Sequence, residues 1–457
     1  MDMQEFSSIR IVKSKSINST LFIFVLTLVF LFTILPIISK AQNIRVINLE
    51  EAVSLAQKNN SELINARLDL LKSTEAVSEA YSENLLPTVT LNSRYNRAFK
   101  KQVFDIFGQK YEIGSDNSIE NTLEISESIP ILGTPVFQGI RIAEYYEKIN
   151  KENVSSVITK VKTDVRKAFY DVLFLKEVIE VNKQSLTNSE DNFSVVDAKY
   201  RNGVATEFDY LRAKVKVETV LPVLEKSQND LKLSKLYLKD VIGLKTKAED
   251  IDVTGNLTYD STEVFGTMDD ILNRIIEKNV SVRQLKINRR IYEELVKVDK
   301  ANYLPKLYLF GQYSIVANEN DDRALTNYRF FNVINAGIGL TWDLNIFKND
   351  FKVHQSEIEV KKTDESILDI KEKLRTQAES ILLRMEDAKN RIMSQQENVK
   401  LAERSLELAN LSFRNGVLNQ IDVLDAELLL SQSRLAYLQA IYDYLIAKSE
   451  LEGLLEK

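Results

Sequence analysis

The chain of 457 residues has no cysteine. Disulfides, zinc–thiolate centres, cysteine nucleophiles and an N-terminal lipidated cysteine are therefore excluded. Its one histidine, His354, has no second ligand at useful spacing, which speaks against a metal site and against a Ser-His pair, and it is expected to be a solvated helix residue. No glycine-rich phosphate loop or nucleophile elbow is present. These absences leave no catalytic residue, cofactor or metal to assign, and the chain reads as a non-enzyme. Proline (6) and glycine (13) are too scarce for the two or three turn-rich domains that this length could hold. Long helices need few of either. A net charge of −6 without a basic stripe argues against a nucleic-acid partner.

What is present is a stretch that occurs twice. Tyr200 to Ala213 (YRNGVATEFDYLRA) and Phe413 to Ala426 (FRNGVLNQIDVLDA) align at a constant offset of 213 with seven of fourteen positions identical. In each copy a helical pattern runs into Asn-Gly, where glycine can take the left-handed conformation that ends a helix, and a new apolar-periodic run begins soon after. Each copy is a helical hairpin tip, so the chain is an internal duplication.

The N-terminus resembles an export signal: Arg10, Lys13 and Lys15 precede an apolar run from Leu21 to Ile38 that ends at Ser39-Lys40-Ala41. Cleavage after Ala41 is the expectation, and an uncleaved membrane anchor is the alternative.

The rest divides into a first repeat (42–243), a connector (244–265) and a second repeat (266–457). The first opens with a helix from Ile47 to about Glu83, with Asn48 and Glu51 spaced as a capping box. A β-hairpin over 86–129 follows, its strands alternating apolar with polar residues (Val89, Leu91, Ser93 and Tyr95 against Thr88, Thr90, Asn92 and Arg94) around a polar loop at 100–117. A long helix is predicted over 136–201. Val161, Val165, Ala168, Val172, Leu175 and Ile179 make a heptad seam along it. A return helix runs from Glu207 to Ile242.

The second repeat has a helix from Met268 to Ala301, with Asn279 as the counterpart of Asn59. A hairpin over 304–345 follows, then a long helix over 351–414 and a return helix after the second tip. In that last helix Leu424, Leu428, Ser431, Leu435, Leu438, Tyr442 and Leu445 follow the 4-3 pattern.

Strands of about ten residues with one apolar face suit a tilted bilayer crossing. A membrane barrel must close, and four strands are too few to close one. Three chains would supply about twelve. The bland alternative is a soluble four-stranded sheet.

The duplicated tips and the twofold order of elements resemble the TolC-type outer-membrane channel tunnels of efflux and type I secretion systems, over nearly the whole chain after residue 41. The resemblance implies an α+β membrane protein: a homotrimer forming a 12-stranded outer-membrane β-barrel continuous with a periplasmic α-helical coiled-coil tunnel, in which two shorter helices stack end to end beside each long one. It implies the outer membrane of a Gram-negative bacterium, contact with its lipid, and two partners: a periplasmic adaptor (membrane fusion) protein and an inner-membrane RND or ABC transporter. By the same resemblance Asp422, Asp425 and Asp209 match acids of the periplasmic gate, while Arg201, Asn202, Gly203, Arg414, Asn415 and Gly416 match the tips that meet the adaptor. Asp422 also reads as a first-turn helix acid. The sequence departs from the family's closing network at Leu418 and Phe413, where a basic residue and an aromatic hydroxyl would stand. A periplasmic coiled-coil scaffold or adaptor with a soluble β domain is the alternative function.

Overall fold

The computed structural model describes residues 44–132, 134–244, 250–260 and 266–456. The export signal and its cleavage site lie outside the described residues. A short strand β1 (Ile44–Ile47) precedes α1 (Leu49–Asn59) and α2 (Ser61–Leu85). Then come β2 (Thr88–Arg97), β3 (Gln102–Ile106), β4 (Gln109–Ile113), β5 (Asn117–Leu132), α3 (Val136–Arg201) and α4 (Glu207–Val241). Strand β6 (Asp250–Val253), which pairs with β1, lies in the connector where no regular element was expected. The second half holds α5 (Met268–Lys278), α6 (Val280–Ala301), β7 (Lys306–Glu319), β8 (Phe331–Thr341), α7 (Ile346–Arg414) and α8 (Gln420–Leu454). Helix α7 starts five residues earlier than its periodicity predicts. Both halves share one compact body, 46–245 with 251–457, so the duplication in sequence is not a division of the fold.

Each repeat's first helix is broken where one continuous helix was expected. Asn60 (φ −63, ψ 126) and Asn279 (φ −60, ψ 128) leave the helical region. Their side-chain oxygens accept from the backbone N–H of Glu62 and of Ser281, at 2.9 Å in both cases. The counterpart of Asn279 is therefore Asn60, one residue beyond the Asn59 that the sequence suggested. Asn48 does cap α1, accepting from Glu51 N–H at 2.8 Å. Asn60 has a second duty, because its amide donates to the Val241 carbonyl at 2.9 Å. That carbonyl belongs to the last turn of α4, so α4 ends against the start of α2 and the two stack end to end. Gly243 at φ +74 makes this approach possible, since any Cβ there would collide with the Asn59 carbonyl.

The main sheet is antiparallel in the order β2-β5-β7-β8. Its register aligns Leu91 with Leu123, Leu123 with Tyr313, and Tyr313 with Ile334, so the apolar faces of all four strands fall on one side. The opposite side carries Asn92 against Thr122 and Arg94 against Glu120. Nothing in the described chain covers the apolar side: Leu91 is 72 % and Ile338 68 % exposed. Among the described residues, strands β2 and β8 each have one unpaired edge. The polar loop expected at 100–117 is mostly a second hairpin, β3–β4, turned by Phe107 (φ 55) and Gly108 (φ 81). Among the described residues no helix is long and apolar enough to cross a membrane.

Helix α3, at 66 residues, spans about 100 Å and is the spine of the helical body. Val161, Val165, Ala168, Val172 and Ile179 of its predicted seam are buried, with Phe169 and Leu173 added where Leu175 stays half-buried. In α7, Ile367, Leu374, Ile381, Met385 and Ala388 are buried as expected, Ile370 only partly. In α8 the predicted seam holds only at its far end, where Leu445 is buried and Leu438 packs on the core; Leu424, Ser431, Leu435 and Tyr442 are only partly buried. The buried stripe is Val423, Ala426, Leu430, Ser433, Ala440, Tyr444, Ala447 and Leu451, and Leu428 is exposed. Alternating small residues let α8 approach α3 closely; a Cβ on Gly453 would lie 2.5 Å from the Thr163 hydroxyl. Ion pairs Arg166–Glu452 (2.9 Å) and Lys167–Glu450 (2.6 Å) fasten the same end of α8 to α3.

Candidate functional site at the helical tips

The two tips are built alike. At the first, Asn202 ends α3 and Gly203 takes φ +74; at the second, Asn415 ends α7 and Gly416 takes φ +75. The N–H of Val204 donates to the Lys199 carbonyl at 2.8 Å and that of Val417 to the Ser412 carbonyl at 2.9 Å, closing the orphaned last turns. Arg201 and Arg414 are exposed, and Arg201 pairs with Asp197 at 2.9 Å. Val204 and Val417 stand out at the apices, both about three-quarters exposed (74 % and 76 %).

The acids divide by role. Asp209 accepts from the Thr206 N–H at 3.2 Å and its hydroxyl at 2.6 Å, and the Asp209 N–H donates back to that hydroxyl at 3.1 Å. Asp422 holds the same third helical position and accepts from the Asn419 N–H at 3.0 Å. Both are helix-capping carboxylates at the positive end of a helix dipole. Asp425, one turn on, is exposed, and among the described residues its carboxylate has no hydrogen-bond or ion-pair partner.

Several residues that sequence reasoning missed join the tips. Lys199 reaches from α3 to the last turn of α7, where its ammonium donates to the Phe413 carbonyl at 3.0 Å and lies 3.8 Å from the centre of the Phe413 ring. Phe413 lacks a hydroxyl, yet its ring face and its carbonyl both serve the contact. Tyr210 of α4 stacks on Tyr200 of α3 at 5.1 Å and meets Phe193 at 5.5 Å.

Above the tips the α3–α8 packing turns polar. Glu427 is 3 % exposed and accepts from the Ser189 hydroxyl at 3.0 Å. Burial raises its pKa, against a smaller opposing pull from the Lys216 charge and the Ser189 hydrogen bond. Asn192 and Gln420 are buried, and among the described residues neither side-chain polar atom of either has a partner. A cavity of about 320 Å³ lies here, lined among others by Asp191, Asn192, Arg414 and Glu427. A signal for this seam existed: Asn182 and Ser189 continue the heptad along α3 in polar form before Val196 returns it to an apolar residue.

The comparisons with known proteins agree with this architecture. The model of the family described as outer membrane efflux protein matches residues 52–244 and again 271–456. The outer membrane protein TolC of Escherichia coli (strain K12) is 20 % identical over 425 residues, spanning 89 % of this chain and 82 % of that protein. The crystal structure of the Campylobacter jejuni CmeC outer membrane channel superposes with a TM-score of 0.73 at 15 % identity, over 89 % of this chain and 85 % of that one. The open state of the Neisseria gonorrhoeae MtrE outer membrane channel gives 0.71 at 16 % identity, over 89 % and 88 %. With two family matches that together span most of its length, one per repeat, the chain belongs to the outer membrane efflux protein family.

Proposed function

We propose that three copies of this chain close a barrel of about twelve strands in the outer membrane, continuous with a helical tunnel that reaches through the periplasm. The observation that carries this is the main sheet, with an apolar face left bare and two unpaired edges. Unpaired amides cannot face lipid, so the free edges of β2 and β8 need partners, and further copies of the chain supply them. Leu424, Leu428 and Leu435 of α8, left partly or fully exposed within one chain, are then a face for neighbouring helices. As a scaffold with a soluble β domain, the chain would leave that apolar sheet in water, and the family match gives the alternative no support.

At the tunnel's inner end, threefold repetition turns Asp425 into an acidic ring with Asp422 stacked beside it and Asp209 capping the first tip. Such rings draw cations. The tips, with Arg201, Asn202, Gly203, Arg414, Asn415 and Gly416 around exposed Val204 and Val417, present a surface for a periplasmic adaptor, which couples the channel to an inner-membrane RND or ABC transporter. Nothing in the sequence resembles a nucleotide site, so the energy comes from that transporter. Single-channel recording in planar bilayers tests the reading, comparing wild type with Asp422→Ala/Asp425→Ala. Small cation-selective currents that lose selectivity in the variant are expected. Recovery of the protein in the soluble fraction with no channel activity would overturn it.

A further inference from the structure

The β3–β4 hairpin is the least explained part of the chain. It is a two-stranded sheet by itself, and such a hairpin is marginal in water. Its register places Phe104 opposite Tyr111, with Ile106 and Ile113 two residues away on the same face, and all four are exposed. The hairpin's base is already tied to the chain's own β7–β8 loop by polar contacts: Arg97 to Asp321 at 3.1 Å, Lys101 to Asn320 at 2.9 Å and Asn117 to Asp321 at 2.9 Å. None of these uses the apolar face.

The strand order says what stands on the hairpin's other side. Arg97 pairs with Asn117 and Asn117 with Glu319, while Val316 pairs with Phe331, so both loops leave the same end of the sheet. Because every neighbour is antiparallel, β8 of one copy can join β2 of the next only in the antiparallel sense. That brings the Phe331 end of one copy beside the Arg97 end of the other. The loop before β8 carries its own bare apolar groups, Leu325 and Phe330, with Phe331 at 65 % exposure.

We propose that the apolar face of each β3–β4 hairpin docks on the β7–β8 loop of the adjacent copy, forming three inter-copy clasps at the outer mouth. Phe104, Ile106, Tyr111 and Ile113 meet Leu325 and Phe330 of the next copy. The clasp rests on the trimeric barrel reading and locates a contact that this reading leaves open.

The cysteine-free chain makes the test direct. In full-length protein in outer-membrane vesicles, Phe104→Cys with Phe330→Cys is treated with a short bis-maleimide and run on denaturing gels. Leu91→Cys combined in turn with Ile334→Cys, Ala336→Cys and Ile338→Cys reports barrel closure separately. Covalent dimers and trimers from the loop pair, absent from each single variant, are expected. Linked strands without linked loops would overturn the clasp and leave the trimer standing; linkage in neither set would overturn both. Linking by Phe104→Cys alone would set hairpin against hairpin, and quenching of a probe at that cysteine by brominated lipid would give the face to the membrane. Either result sinks the clasp.

Discussion

The ammonium of Lys199 lies 3.8 Å over the ring of Phe413 and donates to the Phe413 carbonyl, so one side chain fastens the first tip of the chain to the second. The ring supplies a cation–π contact, and the carbonyl, in the last turn of α7, also accepts from the Gly416 N–H at 3.1 Å. Lys199→Met keeps the stem and removes both. The variant is expected to lose about 1–2 kcal/mol of local stability at the tips. Hydrogen exchange at 413–418 should accelerate while the α3 midsection is unchanged, and single-channel recordings should show more frequent openings. Phe413→Tyr, which keeps ring and carbonyl, should behave as wild type; accelerated exchange in that variant would remove the ring from the account.

Glu427 makes stability depend on pH. Its pKa is raised in the folded protein, so folding holds its proton, and the associated stability is present below the unfolded carboxyl pKa and is lost as pH climbs through the folded value. The groups around it are the Ser189 hydroxyl, the Lys216 ammonium, and Asp191 and Arg414 at the same cavity. Glu427→Gln keeps the shape without the titration. Helical melting followed from pH 4 to 8 should show the variant gaining on wild type as pH rises. Parallel curves would mean that the carboxyl stays charged throughout and that water in the cavity solvates it.

Asn60 and Asn279 are twins in backbone but not in load. Among the described residues the Asn279 side chain supplies a cap to α6 alone, whereas Asn60 caps α2 and donates to Val241 at the end of α4. Asn279→Ala should cost about 1 kcal/mol and Asn60→Ala about 2–3, because the second also strands a helix-terminal carbonyl. Thermal melts of the two variants side by side decide it; equal losses would mean that Val241 finds another donor.

These twins also mark where the sequence is hard to read. The tips and long helices are legible because Asn-Gly and unbroken periodicity are local signals that the fold reinforces. The breaks at Asn60 and Asn279 are not, since asparagine interrupts a helix only when its side chain finds the next turn's amides. In α8 two stripes compete, and composition favours the leucines. The structure buries Val423, Ala426 and Leu430 against Ala402, Leu406 and Ala409 of α7, with Ser433 and Ala440 continuing the stripe, and leaves Leu428 and Leu429 facing outward. The β3–β4 hairpin hid behind Asp105, Lys110 and Glu112, charges that a surface hairpin tolerates on its wet face. At the site, the acids were visible in the duplicated motif, whereas Lys199 and Glu427 were not, their roles being set by a partner more than two hundred residues away.

The acids themselves separate by experiment. Asp209 and Asp422 satisfy backbone amides at the start of α4 and α8, and Asp425 satisfies none. If Asp422 is chiefly a cap, Asp422→Ala and Asp209→Ala should both speed amide exchange in the first turn of their helices, to a similar degree, and lower the melting temperature slightly. Asp425→Ala should leave exchange and melting alone, and still reduce cation selectivity and block by divalent cations in planar bilayers. Asp422→Asn discriminates further, because an amide oxygen can still accept from the Asn419 N–H while carrying no charge. Loss of selectivity in that variant with exchange unchanged would give Asp422 an electrostatic role beyond capping. Loss of both only on truncation to alanine would leave Asp425 as the charge that ions meet. Should Asp425→Ala pass the same currents as wild type, the constriction belongs to the first tip, where Asp209 and Arg201 would be the next residues to change.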